Sequence, residues 1–407
     1  MPDSNESNAS LRFSSVSTAA PDPILGLTEA FLADERSDKM NLSVGVYKDA
    51  SGQTPVLECV KEAESRLLET EKTKGYLAID GLPDYRQAVK QMIFGDAVSS
   101  ERIATLQSPG GTGALRIAAS FLSSQMPPIR VWASTPTWAN HHAVFESEGL
   151  PIESSRYLSS DRTSLDFDAM IEDLNTKSKP GDAVLLHACC HNPTGIDPSG
   201  EQWEVIAKTV SERGLLPLID FAYQGFGHGL SEDAESIKTM LRYNDEAIIC
   251  NSFSKNFGLY GERVGAVSFV AGNCNAATAV QSQLKKLVRC NYSNPPRHGG
   301  SIVATILGCS DLTQKWEFEL ANMRNRIRAL REQFVTTMKN TGKGHDFTFL
   351  LNQSGMFSFS GLNKMQVDQL KADHGIYIVG SGRINVAGMQ ESKMEKFCSA
   401  IATVLEG

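Results

Sequence analysis

The sequence predicts an α/β fold, with a mainly parallel sheet covered by helices on both faces and a smaller α+β domain beside it. Three observations carry that expectation. Between about residues 100 and 270, short apolar runs alternate with helical patterns, as βαβ units require. Beyond about residue 310 the pattern changes to long helical stretches with short strands between them. The chain has 407 residues, 41% of them apolar and 21% charged, enough for two or three soluble domains of ordinary composition.

In chain order, the expected strands are Ile103–Gln107, Ile129–Ala133, Ala183–Ala188, Leu215–Asp220, Ala247–Asn251 and Val264–Val270. Each is a short run rich in branched apolar residues, suited to burial on both faces. The helical segments between them include Ala114–Leu122, Glu201–Glu212 and Ala234–Leu241. Ser199-Gly-Glu-Gln202 is a capping box, which marks a helix start. Longer helices are expected over Gln314–Met338 and Glu391–Leu405. The resulting division is an arm over residues 1–14, a small domain from 15–48 and 321–407, and a large domain over 49–320.

Charge and composition exclude several classes. A net charge of −8 argues against nucleic acid or an anionic membrane as partner, since both demand a basic footprint. No apolar run approaches the ~18 residues of a spanning helix. The eight cysteines are scattered, and the adjacent Cys189 and Cys190 have neither zinc-ligand nor redox spacing. Free thiols in a reducing compartment follow, with the cytoplasm as default. His187 and His191 flank those cysteines, but no second ligand pair stands at metal-binding spacing, so no metal is expected. The segment Met1–Ala20 has one arginine, two acids and no apolar core, unlike a signal or transit peptide. Arg324, Arg326, Arg328 and Arg331 fall on more than one helical face, and a solvated surface is the reading preferred over a phosphate site.

The unusual residues gather at strand ends. Gly110-Gly-Thr-Gly113 follows the first strand; Trp138 and His141 follow the second; His191-Asn-Pro-Thr-Gly195 follows the third. Asp220 and Tyr223 close the fourth, and Lys255 follows the fifth. Open α/β sheets bind ligands outside the carboxyl ends of their strands, so five strands deliver chemistry to one edge. The glycine-rich turn opens a helix whose bare amides suit a phosphate, with a plain tight turn as the alternative. Trp138 offers a face for stacking on a ring, or else a core aromatic. Asp220 ends an apolar strand and needs a cation; a helix cap or internal ion pair is the other reading. Arg263 lies close enough in sequence to Lys255 to reach the same phosphate. Lys255, stripped of water past a buried strand, has the environment of an amine that condenses with a carbonyl. Together they describe a pyridoxal phosphate site, with Lys255 forming the Schiff base and Asp220 pairing with the pyridine nitrogen.

Ordered blocks along the chain extend this. They include Asn41-Leu-Ser-Val-Gly45, Gly75-Tyr76, Pro109-Gly-Gly-Thr-Gly-Ala-Leu-Arg116, Trp138-Ala-Asn-His141, Ser252-Phe-Ser-Lys255-Asn-Phe-Gly-Leu-Tyr260, Ser293-Asn-Pro-Pro296 and Ser381-Gly-Arg-Ile-Asn385. In these blocks, from Pro21 almost to the C-terminus, the chain resembles the class I pyridoxal-phosphate-dependent aminotransferases, most closely their aspartate-specific members. The resemblance implies pyridoxal-phosphate fold type I and a homodimer with sites at the subunit interface. It implies reversible amino-group transfer between L-aspartate and 2-oxoglutarate, giving oxaloacetate and L-glutamate by a ping-pong Schiff-base mechanism. It makes Lys255, Asp220 and Tyr223 catalytic. His141 would orient Asp220, while Asn192 and Tyr223 bond the ring oxygen. Gly110, Gly111, Thr112, Ser252 and Arg263 would hold the phosphate, helped by Tyr76 from the partner. Arg383, Gly45, Trp138 and Asn192 would take the substrate α-carboxylate, and Arg289 would reach its side-chain carboxylate across the interface. Tyr292 stands where many relatives have tryptophan, and the first dozen residues have no clear counterpart.

Two arginines favour a dicarboxylate, because guanidinium grips carboxylate through paired hydrogen bonds. An aromatic-amino-acid aminotransferase is the alternative within the family. Outside it, Ser252-Phe-Ser-Lys255 also fits the S-x-x-K of penicillin-recognising enzymes, but the companion S-D-N and K-T-G tripeptides do not occur. A binding protein that kept the fold and lost the chemistry would not need Lys255, Asp220 and both arginines.

Overall fold

A strand covered on both faces must be apolar at every position, and its two sets of alternate side chains then feed two separate cores. The computed structural model, which describes residues 12–19 and 23–406, has this arrangement. Seven strands form the large sheet: β1 (Ile103–Pro109), β2 (Val131–Thr135), β3 (Ile152–Arg156), β4 (Ala183–His187), β5 (Leu216–Phe221), β6 (Ala247–Ser252) and β7 (Val264–Val270). Their spatial order is β1-β7-β6-β5-β4-β2-β3. Leu185, Leu218, Ile248 and Val267 join one apolar cluster with the helix Gly110–Gln125. Their neighbours Leu186, Ile219, Ile249 and Ala266 join the other, with Trp203, Ile206 and Val210 of the helix Gly200–Glu212. That helix begins with the expected capping box at Ser199 and Gln202.

One strand runs against the rest. β7 pairs antiparallel with both β1 and β6, whereas every other pair is parallel. Its first residue therefore lies at the edge where the other strands end. That reversal carries Arg263, which directly precedes β7, to the same edge as Lys255. β3 was not among the expected strands. It is an edge strand of sequence Ile-Glu-Ser-Ser-Arg, with one partner and too few apolar residues to show as a run.

Outside the large sheet, two small two-stranded sheets draw on both ends of the chain. Met40–Asn41 pairs parallel with Ile376–Tyr377, and Phe357–Phe359 pairs antiparallel with Arg383–Asn385. The Arg36 guanidinium bonds Asp34 at 2.6 Å and the carbonyls of Lys371 and Ala372 at 3.0 and 2.8 Å. The Asn385 amide donates to the carbonyls of Val44 and Val46 at 2.7 and 2.8 Å, which fixes Gly45 beside Arg383. The helix Ser310–Asn340 runs unbroken through the expected boundary at residue 320. Of the expected arm, residues 1–11 lie outside the described residues, as does Pro21; residues 12–19 are exposed.

Candidate active site

The parallel register sets the site. It places His187 of β4 beside Asp220 of β5, and Asp220 beside Cys250 of β6. Past those ends the chain turns into loops that line a pocket of about 260 Å³. The pocket brings together Gly45, Gly111, Thr112, Trp138, Asn192, Asp220, Tyr223, Ser252, Lys255, Arg263 and Arg383, all expected from sequence.

At one end stands Asp220, 6% exposed. Its Oδ2 lies 3.0 Å from His141 Nε2, and His141 Nδ1 lies 2.9 Å from Thr137 Oγ1. Burial pushes the Asp220 carboxyl up, but the His141 hydrogen bond, helped by the charge of Lys255, outweighs it and holds the group below its ordinary range. No lysine or arginine forms an ion pair with it among the described residues. His187 cannot supply the missing charge, because burial drives its pKa down to about 3 and leaves it neutral. The site thus holds a buried anion with room for a small cation, which is what a protonated pyridine nitrogen provides.

At the other end, the helix Gly110–Gln125 presents its first amides, with Gly110 at φ 74°. A side chain at Gly110 would strike the Arg263 guanidinium, so the backbone and that cation are in close approach. A Cβ on Gly111 would come within 3.1 Å of Ser252 Cβ. Ser252 Oγ donates to Ser254 Oγ at 3.1 Å, and Arg263 Nη1 donates to the Tyr260 carbonyl at 3.0 Å. Amides, hydroxyls and a guanidinium around one concavity make a phosphate cradle.

Between these ends lies Lys255, whose Nζ sits 4.7 Å from the centre of the Tyr223 ring. Burial lowers its pKa to about 8, against the pull of Asp220 and with the help of Arg263. This has a measurable consequence in cofactor-free protein. Between pH 8 and the ordinary amine value of 10.5, the unfolded chain keeps a proton that the folded chain has lost. Stability should therefore rise with pH across that window, by up to about 3 kcal/mol relative to Lys255→Met. Urea unfolding at pH 7.5 and pH 10 measures it; an unchanged gap between the two proteins would show that the amine is not desolvated.

Arg383 faces the pocket from the second of the small sheets. Its Nη2 donates to the Ser43 carbonyl at 2.6 Å and its Nη1 to Asn192 Oδ1 at 3.3 Å, while the guanidinium lies 4.2 Å from the Phe357 ring centre. Its Nε is buried without an acceptor. An orphaned guanidinium donor, desolvated beside Asn192, suits a carboxylate. Phe357 also meets Gly45, where a Cβ would come within 2.7 Å of the ring, so only glycine fits there.

Four expected residues are not in the lining. Gly110 lies behind Arg263, and His141 behind Asp220. Tyr76 is 93% exposed, and Arg289 is exposed with its Nη1 donating to Ser293 Oγ at 2.5 Å. Conversely, Leu115, Ala222, Ser254, Tyr260 and Phe357 line the pocket unforeseen. Ser254 and Tyr260 fall inside the Lys255 block, so their proximity had a signal; Ala222 and Phe357 had none. His141, His187 and Asp220 bring three ligand-type atoms within 4.8 Å of one another, but the His141–Asp220 hydrogen bond already joins two of them.

A family model for class I and II aminotransferases matches residues 37–401. The chain belongs to that family. It is 50% identical over 396 residues to an aspartate aminotransferase of Escherichia coli, covering 97% of this chain and all of that protein. It is 44% identical to an aromatic-amino-acid aminotransferase of Pseudomonas aeruginosa, with 96% and 98% covered. The crystal structure of an aromatic-amino-acid aminotransferase from Burkholderia pseudomallei, covalently bound to pyridoxal phosphate, superimposes with a TM-score of 0.94 at 44% identity, covering 97% of this chain and 100% of that one.

Proposed function

We propose that this chain is a pyridoxal-phosphate-dependent aspartate aminotransferase, moving an amino group reversibly between L-aspartate and 2-oxoglutarate. The observation that carries the reading is the placement, in one pocket, of a buried anion lacking a cation, a lysine with a lowered pKa and a phosphate cradle. Bound pyridoxal phosphate would supply an aldehyde that condenses with amines and a ring that draws electrons from the substrate Cα.

The chain's own groups do the rest. Gly110, Gly111, Thr112, Ser252, Ser254 and Arg263 would bind the phosphate. Asp220, oriented by His141, would stay ionised and favour a proton on the ring nitrogen. Trp138 would pack on the ring, and Asn192 and Tyr223 would hydrogen-bond its oxygen. Lys255 Nζ, neutral in an appreciable fraction near pH 8, takes the proton from Cα and returns it on the other side of the reaction. Arg383 holds the α-carboxylate, with Gly45, Trp138 and Asn192 alongside.

The exposed positions of Tyr76 and Arg289 support a homodimer in which each completes the neighbour's pocket. The two-part division of the chain and a cytoplasmic location, consistent with eight free cysteines, belong to the same proposal. In this reading Arg289 meets the side-chain carboxylate. Arg289→Ala should then cut kcat/KM for aspartate by about 2–5 kcal/mol, tens to thousands-fold, while barely changing that for phenylalanine. Equal losses on both substrates would refute the assignment. Because family members of both kinds are similar to this chain, the aspartate-to-phenylalanine rate ratio of the unmodified protein decides between them. The basic test is spectroscopic: protein loaded with pyridoxal phosphate should be yellow, and aspartate should shift its visible band.

A further inference from the structure

We propose that a second cavity, behind the substrate clamp, binds a phosphate-bearing small molecule. The cavity has about 730 Å³ and shares no lining residue with the pocket described above. Arg324, Arg328 and Arg331 line it. They stand at positions i, i+4 and i+7 of the helix Ser310–Asn340, a spacing that returns to one face. The cluster spans more than one helical face, as expected from sequence, but Arg331 is buried and not solvated. Only Arg326 departs, its guanidinium 5.9 Å from the Tyr47 ring centre.

None of the three lining arginines has a carboxylate in ion-pair contact among the described residues. Arg331 is only 5% exposed, and its guanidinium donates to the carbonyls of Gly355 at 2.7 Å and Phe357 at 3.4 Å and to Ser358 Oγ at 3.2 Å. Arg324 Nη1 donates to the Gly225 carbonyl at 2.8 Å. Arg328 is exposed and makes no side-chain hydrogen bond among the described residues. Arg331's hydrogen-bond acceptors are all neutral and, of the carboxylates, only the nearby Asp197 acts on its charge, so burial of the guanidinium is costly and a further anion offsets that cost.

A second observation points to a ligand. Gln353 also lines the cavity and is 4% exposed; its Oε1 accepts the Phe359 amide at 3.2 Å, while its Nε2 is buried with no partner. Natural structures leave few buried donors unsatisfied, so a donor of this kind at the cavity wall favours an acceptor there. Across the cavity, Ser199 and Gln202 place the start of the helix Gly200–Glu212, where the capping box takes up the Gln202 amide and leaves those of Gly200 and Glu201 without an intrahelical acceptor. Two carboxylates also line the space. Asp197 is occupied by the amides of Cys190 and His191, at 2.7 and 2.8 Å, and Glu332 is exposed on the helix. Three guanidiniums, an amide donor and a helix start suit the oxygen-rich, multiply charged form of a phosphate.

Calorimetric titration of the cofactor-loaded protein with inorganic pyrophosphate tests this, since the cofactor fills the catalytic cradle. One saturable site per chain is expected, weakened about tenfold or more by Arg328→Ala and likewise by Arg324→Ala, as removal of a charge-assisted contact implies. Arg383→Ala should leave it unchanged. Absence of saturable binding overturns the proposal. So does binding lost in Arg383→Ala but kept in Arg328→Ala, which would place the anion in the substrate clamp. Succinate binding as tightly as pyrophosphate, with the same dependence on Arg328, would overturn the phosphate class.

Discussion

Lys255→Ala should lower kcat for transamination by at least about 10⁴-fold, because one substitution removes both the covalent anchor and the proton carrier. The side chain opens on the pocket and makes no hydrogen bond among the described residues, so circular dichroism should change little. Lys255→Arg should not restore the rate. A guanidinium does not give up its proton near neutral pH, and it therefore cannot accept one from Cα. Single-turnover measurements with aspartate check both variants. A loss of less than a hundredfold would move the chemistry to another residue.

The second large effect is expected at Asp220. Asp220→Asn keeps the size of the group and lets its oxygen still face His141, but it removes the one carboxylate that lines the pocket among the described residues. Breaking one side of a buried charge pair costs about 3–5 kcal/mol, roughly a hundred- to several-thousand-fold in rate. The visible spectrum should change with it, since the bound ring would no longer be held protonated. A variant within tenfold of the parent, with an unaltered spectrum, would mean that the carboxylate serves the His141 network and not the cofactor.

Much of this arrangement was legible in the sequence for one physical reason. Strands buried on both sides are apolar throughout, so a polar residue at their ends stands out: Asp220 after Leu-Pro-Leu-Ile and Lys255 soon after Ala-Ile-Ile-Cys are conspicuous. The same reasoning fails where burial is one-sided. β3, at the sheet edge, alternates with solvent and shows no run. Phe357 and Ala222 are ordinary apolar residues in sequence, and only packing reveals that Phe357 backs both Gly45 and Arg383. Strand direction was equally hidden: nothing in Val264–Val270 says that it runs against its neighbours. Of the arginines of the long helix, Arg331 was misjudged because a charged residue was equated with a solvated one, whereas it lies inside the structure.

The reversed strand has a further consequence. β6 and β7 pair antiparallel with Ser252 opposite Gly265, the Phe253 amide donates to the Val264 carbonyl at 3.0 Å, and the chain between them carries Lys255 near its beginning and Arg263 at its close. A cofactor gripped by both would act as a cross-brace over that connection. Loading the protein should then slow amide hydrogen exchange in this segment more than in the flanking strands, by the margin that ligand linkage allows. The connection would act as a latch, locally loose in apoprotein and shut by the molecule it receives.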